Sequence, residues 1–79
     1  MKLISSVRSY INNDNFSIIY KNNKLDVINY NEIVDFNSDL ISFKYKNRIY
    51  YVKGKNLVIS KMLDSEILII GDIKEITFS

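Results

Sequence analysis

The sequence predicts a small, mainly β fold: an antiparallel meander of about seven or eight short strands, forming a barrel or sandwich. Three observations carry that prediction. Turn-type residues recur along the chain, at Asn22–Asn23, Asn29–Asn31, Asn37–Asp39, Lys46–Asn47, Gly54–Lys55, Asp64–Ser65 and Gly71–Asp72. The runs between them are rich in Ile, Val, Tyr and Phe, which suit a pleated, half-buried surface. No interval between runs is long enough for a helical crossover, so antiparallel pairing follows.

The elements can be justified in order. Leu3, Ile4, Val7, Tyr10 and Ile11 recur at helical spacing, so residues 1–14 are expected to form a short amphipathic helix or arm. A first strand is the alternative there. Residues 16–79 form the β meander, and residues 1–79 make one domain. Its runs are FSIIYK, LDVIN, EIVDF, LISFKY, RIYYVK, NLVISKM, EILII and IKEITF. In LISFKY, Ile41, Phe43 and Tyr45 point one way and Ser42, Lys44 and Lys46 the other, the pattern of a half-buried strand. EILII is apolar on both faces and belongs at the centre of a sheet or under cover on both sides.

Gly54 and Gly71 are read as structural turns. A two-residue loop with Gly at its first central position forms a type II′ hairpin, and Gly54-Lys55 fits that rule. It would set Val52 opposite Leu57, Tyr50 opposite Ile59 and Arg48 opposite Lys61. Gly71-Asp72 fits less cleanly, since Ile69 would then face Lys74, and a bulge or longer turn is expected there. The echo between YYVKGKNLVIS and ILIIGDIKEITF leaves a β-solenoid-like stack as the alternative fold.

A 79-residue chain buries a small core. His and Cys are both absent, which removes disulfides, the usual metal ligands and the usual bases and nucleophiles near pH 7. We therefore expect no enzyme, no catalytic residues, no metal and no cofactor, and no small-molecule substrate is evident. Asp64 and Glu66 share a strand face beside a turn, where acids are common. Ala, Pro, Trp and Gln are missing while Ile, Asn, Lys and Tyr abound, the mark of an AT-rich genome. MKLISSVRSY lacks the apolar stretch of a signal peptide, and no run approaches the roughly 20 apolar residues of a membrane span. The expected location is cytoplasmic, with no transmembrane segment.

Net charge is only +2, but its distribution is uneven. From Lys44 to Lys61 there are six cations and no acid. Lys44, Lys46, Arg48, Tyr51, Lys53 and Lys55 are the candidate contacts for an anionic surface, and single-stranded nucleic acid on a basic small barrel is the alternative function. The ordinary reading of such a stretch is the solvated face of strands. A phosphate loop is rejected, because Gly54 lacks the second glycine and the following helix that such a loop needs. Tyr45 and Tyr50 share faces with core residues, which leaves Tyr51 as the exposed aromatic.

The C-terminal half resembles the YabP/YqfC family of bacterial sporulation proteins. The resemblance rests on Gly54, Leu57, Ile59, Glu66, Ile67, Ile69, Gly71, Ile73, Ile76 and Phe78. Upstream it continues through Leu25, Val27, Ile33, Phe36 and Ile41, so that it spans residues 25–78. Asn29 and Asn47 stand where such proteins often carry Gly, and Asn tolerates the same left-handed turn. The resemblance implies a cytoplasmic, mother-cell protein of a low-GC Gram-positive spore former, recruited to the forespore surface. It implies work in spore envelope or coat assembly through protein–protein contacts, with itself or with another assembly protein. No functional residue carries over. The proline-free run IKEITF is a candidate pairing edge for another chain.

Overall fold

A computed structural model describes residues 2–3, 9–13 and 16–79. They form eight strands: β1 (Lys2–Leu3), β2 (Ser9–Asn13), β3 (Phe16–Lys21), β4 (Lys24–Ile28), β5 (Glu32–Phe36), β6 (Leu40–Tyr45), β7 (Arg48–Met62) and β8 (Glu66–Phe78). Every pairing is antiparallel, as expected. The path through the sheet is β2-β3-β4-β8-β7-β6-β5, with β1 added against β8. The path does not close on itself among the described strands, so the sheet is open.

The expected N-terminal helix is corrected at its second half. Ser9–Asn13 is a strand, because its backbone pairs with the edge of β3. Tertiary pairing outweighs the helical spacing of the apolar residues. Residues 4–8, the middle of that expected helix, lie outside the described residues.

The two glycine turns are also corrected. β7 runs without interruption through Gly54, and β8 through Gly71. The two strands form one long hairpin closed at residues 63–65, where Leu63 N–H donates to the Glu66 carbonyl at 2.8 Å. Val52 is opposite Ile76, Tyr50 opposite Phe78, and Ile59 opposite Ile69. None of the pairs expected across Gly54 forms. Both glycines mark a corner instead. A Cβ at Gly54 would run into the Asp72 carbonyl oxygen, and one at Gly71 would stand 2.6 Å from the Asn56 carbonyl oxygen. Register shifts near Gly54, after Lys55 and after Ile59 bend β7 at the same place. Gly71 has a φ of 135°, which side chains rarely adopt, and Asn56 opposite it has a φ of 54°.

This corner folds one sheet into two leaves. The first holds β5, β6, the first half of β7, the second half of β8, and β1. The second holds β2, β3, β4, the first half of β8 and the last part of β7. Phe16 on β3 and Tyr45 on β6 are four strand steps apart along the sheet. In a flat sheet that is about 19 Å. Their rings are stacked with centroids 4.1 Å apart, so the leaves face each other.

The core fills the space between them. Phe16, Ile18, Leu25, Val27, Ile67 and Ile69 come from one leaf, and Ile41, Phe43, Tyr50, Val52 and Ile76 from the other. Leu57 and Ile73 seal the corner. The alternation expected in LISFKY holds: Ile41 and Phe43 are buried and Tyr45 packs against the core. Ser42 faces the other way yet is fully buried, because Asp35 of β5 reaches over it and accepts its hydroxyl hydrogen bond at 3.0 Å. EILII is central as expected, with β4 on one side and β7 on the other.

The remaining turns follow local chemistry. Asn22 and Asn23 both have positive φ, 53° and 60°, which suits a type I′ hairpin. Asn29 has a φ of 65°, the conformation for which asparagine replaces glycine most readily. Asn37 Oδ1 accepts from the N–H groups of Asp39 and Leu40, an Asx turn.

Candidate functional site

The predicted basic contacts do not converge on one surface. Lys44, Tyr51 and Lys53 lie on the outer face of the first leaf, where Glu32 stands across from Lys44 and Glu75 across from Lys53. Lys53 Nζ is 3.9 Å from Glu75 Oε2. Lys46 and Arg48 sit at the β6–β7 turn. The Lys46 ammonium lies over the Tyr45 ring at 5.4 Å, and the Arg48 guanidinium over the Phe78 ring at 4.7 Å. Lys55 is at the corner, opposite Asp72. Tyr51 is half-buried rather than exposed. The uniform charge of the stretch in sequence is thus broken up in space: acids stand across from Lys44, Lys53 and Lys55, and the β6–β7 turn sets Lys46 and Arg48 apart from them.

A different site stands out, and it is apolar. The turn at residues 37–39 is tied down on β7: Leu57 N–H donates to the Ser38 carbonyl at 2.9 Å, and Gly54 N–H to the Asp39 carbonyl at 3.1 Å. Beyond this tie the leaves separate and leave a cleft of about 390 Å³. Ile41, Leu57 and Ile59 form its floor, and Phe36, Val58 and Met62 its rim. Asn37 and Ser38 complete the lining, which contains no charged residue. Phe36 is 70% exposed, Met62 59% and Val58 52%. Leu63, also half exposed, extends the apolar surface past Met62 toward Ile28. Sequence reasoning missed this cleft. Phe36 and Met62 alternate like core residues, and only the divergence of the leaves exposes them.

A second missed feature is a carboxyl pair on the outer face of the second leaf. Asp26 of β4 lies diagonally across from Glu66 of β8, with Lys61 in the adjoining row. Burial comes first, then the hydrogen bond and charge of Glu66; together they push the Asp26 carboxyl up to about 6, against the opposing Lys61 ammonium. Asp26 Oδ1 is buried with no hydrogen-bond partner among the described residues. Protonation of Asp26 is favoured by folding, so this contribution is complete below about pH 4 and is lost as pH rises through about 6. Asp26→Asn mimics the protonated form. It is expected to raise stability at pH 7.5 by about 1 kcal/mol, after allowance for solvent screening, or about 4–8 °C in Tm. The variant-minus-wild-type difference should vanish near pH 4. Thermal unfolding across pH 4–8 checks this, and an equal effect at both ends would contradict it.

The fold and the cleft together define an all-β domain whose most distinctive surface is apolar, and no three His, Cys, Asp or Glu gather as a metal site among the described residues. No helix among them is long and apolar enough to cross a membrane. The family model of the YabP family matches residues 12–79, and the chain belongs to that family. Membership marks it as sporulation-related. The match reaches upstream of the residue 25 at which the resemblance began. Neither a curated protein nor a solved structure matches the chain.

Proposed function

We propose that this protein works without catalysis in spore envelope or coat assembly, through protein–protein contact. The observation that carries the reading is the uncharged cleft with Phe36, Val58 and Met62 at its rim. Large apolar side chains left open around a concavity are the usual mark of an interaction surface. The absence of His and Cys from the sequence supports a non-enzymatic role. The contact surface differs from the IKEITF edge. Residues 73 and 75–78 pair with β7, and residues 76–77 also with β1. In this reading the protein sits in the mother-cell cytoplasm and is recruited to the forespore surface.

Disrupting the gene tests the reading. We expect a large fall in heat-resistant spores, with thin or misassembled envelope layers in electron micrographs and unchanged vegetative growth. Normal spores in normal yield would overturn it. The nucleic-acid alternative has less support, since its cations are divided among three places. A labelled oligo(dT) at low and moderate salt is expected to show no salt-sensitive binding.

A further inference from the structure

We propose that the cleft receives an extended strand of another protein, which pairs with the open edge of β7 beyond Leu57 and turns apolar side chains at alternate positions onto the cleft floor. This rests on the assembly reading above and names the form of the partner's contact.

The pairing of the strands shows that a neighbour is missing here. Phe36 stands opposite Ile41 and Met62 opposite Ile67, and both of those partners are buried in the core. Residues directly opposite one another share a face of the sheet. Phe36 and Met62 therefore lie on the inward faces of their strands, yet they are 70% and 59% exposed. The register shift between Ile59 and Lys61 contributes, because it brings Met62 rather than Lys61 onto the inward face. Inward residues stand open in this way at a sheet edge that has no next strand.

Both walls of the cleft are such edges. The path through the sheet ends at β5, which pairs only with β6 among the described strands. β7 pairs with β6 as far as Lys53, and from Val58 to Met62 it pairs with β8 alone among them. The two edges part beyond the tie between Leu57 and Ser38.

That tie identifies the occupant. The Leu57 N–H donates away from β8, to the Ser38 carbonyl at 2.9 Å, and so forms one rung of a ladder on the open side of β7. Backbone groups along a strand alternate in direction. Ile59, two residues on, thus presents its N–H and carbonyl to the same side, where no described strand meets them. Unpaired main-chain groups beside an uncharged apolar cleft suit a chain whose backbone continues the rungs and whose alternate side chains fill the cleft. A helix or an acyl chain would cover Phe36 and Met62 but leave the rungs unmade. β7 rather than β5 is the template, because the first rung already stands on it.

Random dodecapeptides displayed on phage and selected on the intact chain test the proposal without assuming a partner sequence. Selected peptides are expected to carry Ile, Val, Leu or Phe at every second position, with no proline between them. In a synthetic copy of such a peptide, N-methylation of one alternate set of amides should weaken binding by at least about tenfold, and of the other set far less. Exchange of the Ile59 amide should slow in the complex. Met62→Lys should also weaken binding by at least about tenfold, with unchanged far-UV circular dichroism, since the side chain is largely exposed. Apolar residues enriched at helical spacing, binding indifferent to both N-methylated sets, or no selected peptide that depends on Met62 would overturn the proposal. So would a Met62-dependent dimer of the chain alone in sedimentation equilibrium, because a second copy would then fill the cleft. The assembly reading is separated by a spore count. If the peptides fail but a Met62→Lys strain loses heat-resistant spores, strand pairing is overturned and assembly stands. If the peptides bind as expected but the disrupted gene gives normal spores, the reverse holds.

Discussion

Gly54→Ala is expected to cost at least about 3–4 kcal/mol, which would leave much of the protein unfolded at 37 °C. The added methyl has no free volume to enter. It meets the backbone carbonyl of Asp72, on the neighbouring strand, and the nearby atoms are also backbone. Relief requires β7 and β8 to separate at the corner, and that breaks the approach of one leaf to the other. A glycine at an exposed hairpin tip would behave differently, with a cost of about 1 kcal/mol for the same change. The size of the effect therefore decides between corner and turn. A domain of this length holds only about 4–12 kcal/mol of total stability. Urea denaturation followed by far-UV circular dichroism measures the loss. A Tm within about 5 °C of wild type would show that the corner is not tight. Gly71→Ala should behave alike, for it combines a close contact with a φ of 135°.

Phe16→Ala is expected to cost about 3–5 kcal/mol. Phe16 is fully buried and is the point at which the second leaf meets the aromatic residues of the first. Its ring stacks on Tyr45 at 4.1 Å and lies 5.4 Å from Tyr50 and 6.4 Å from Phe43. Removing it opens a void that these rings can fill only by leaving their own positions. Phe16→Leu keeps most of the volume and should cost clearly less. A double-mutant cycle with Tyr45→Leu is expected to give a coupling of about 0.5–1.5 kcal/mol. Zero coupling would mean that the stacked pair contributes only through burial. Near-UV circular dichroism should weaken in Phe16→Ala even where the protein remains folded.

What the sequence made legible follows from the range of each signal. The alternation Ile41, Ser42, Phe43 is local, and it identified the buried face of β6. Asn22-Asn23 is local too, and the β3–β4 hairpin closes there. Gly54 and Gly71 misled because strand, glycine, charged residue, strand is equally the writing of a hairpin tip and of a sharply bent strand. The distinction lies in pairing at long range, such as Val52 with Ile76, which no neighbouring residue announces. The carboxyl pair was hidden for the same reason: Asp26 reads as an ordinary outward acid until β8 brings Glu66 to it. The basic stretch shows the same limit in the opposite sense. Its cations are consecutive in the chain, but β5 and β8 supply the acids that separate them.

Because β7 and β8 cross from one leaf into the other, the hairpin is a common spine, and neither half of the molecule has strands enough to persist alone. Loss of either half strips the other of two of its strands. Heat or urea should thus produce a single concerted transition, and amide protons in the two halves should exchange with the same limiting free energy. Among the described residues there is thus no autonomous subunit from which the protein could be dismantled piecemeal.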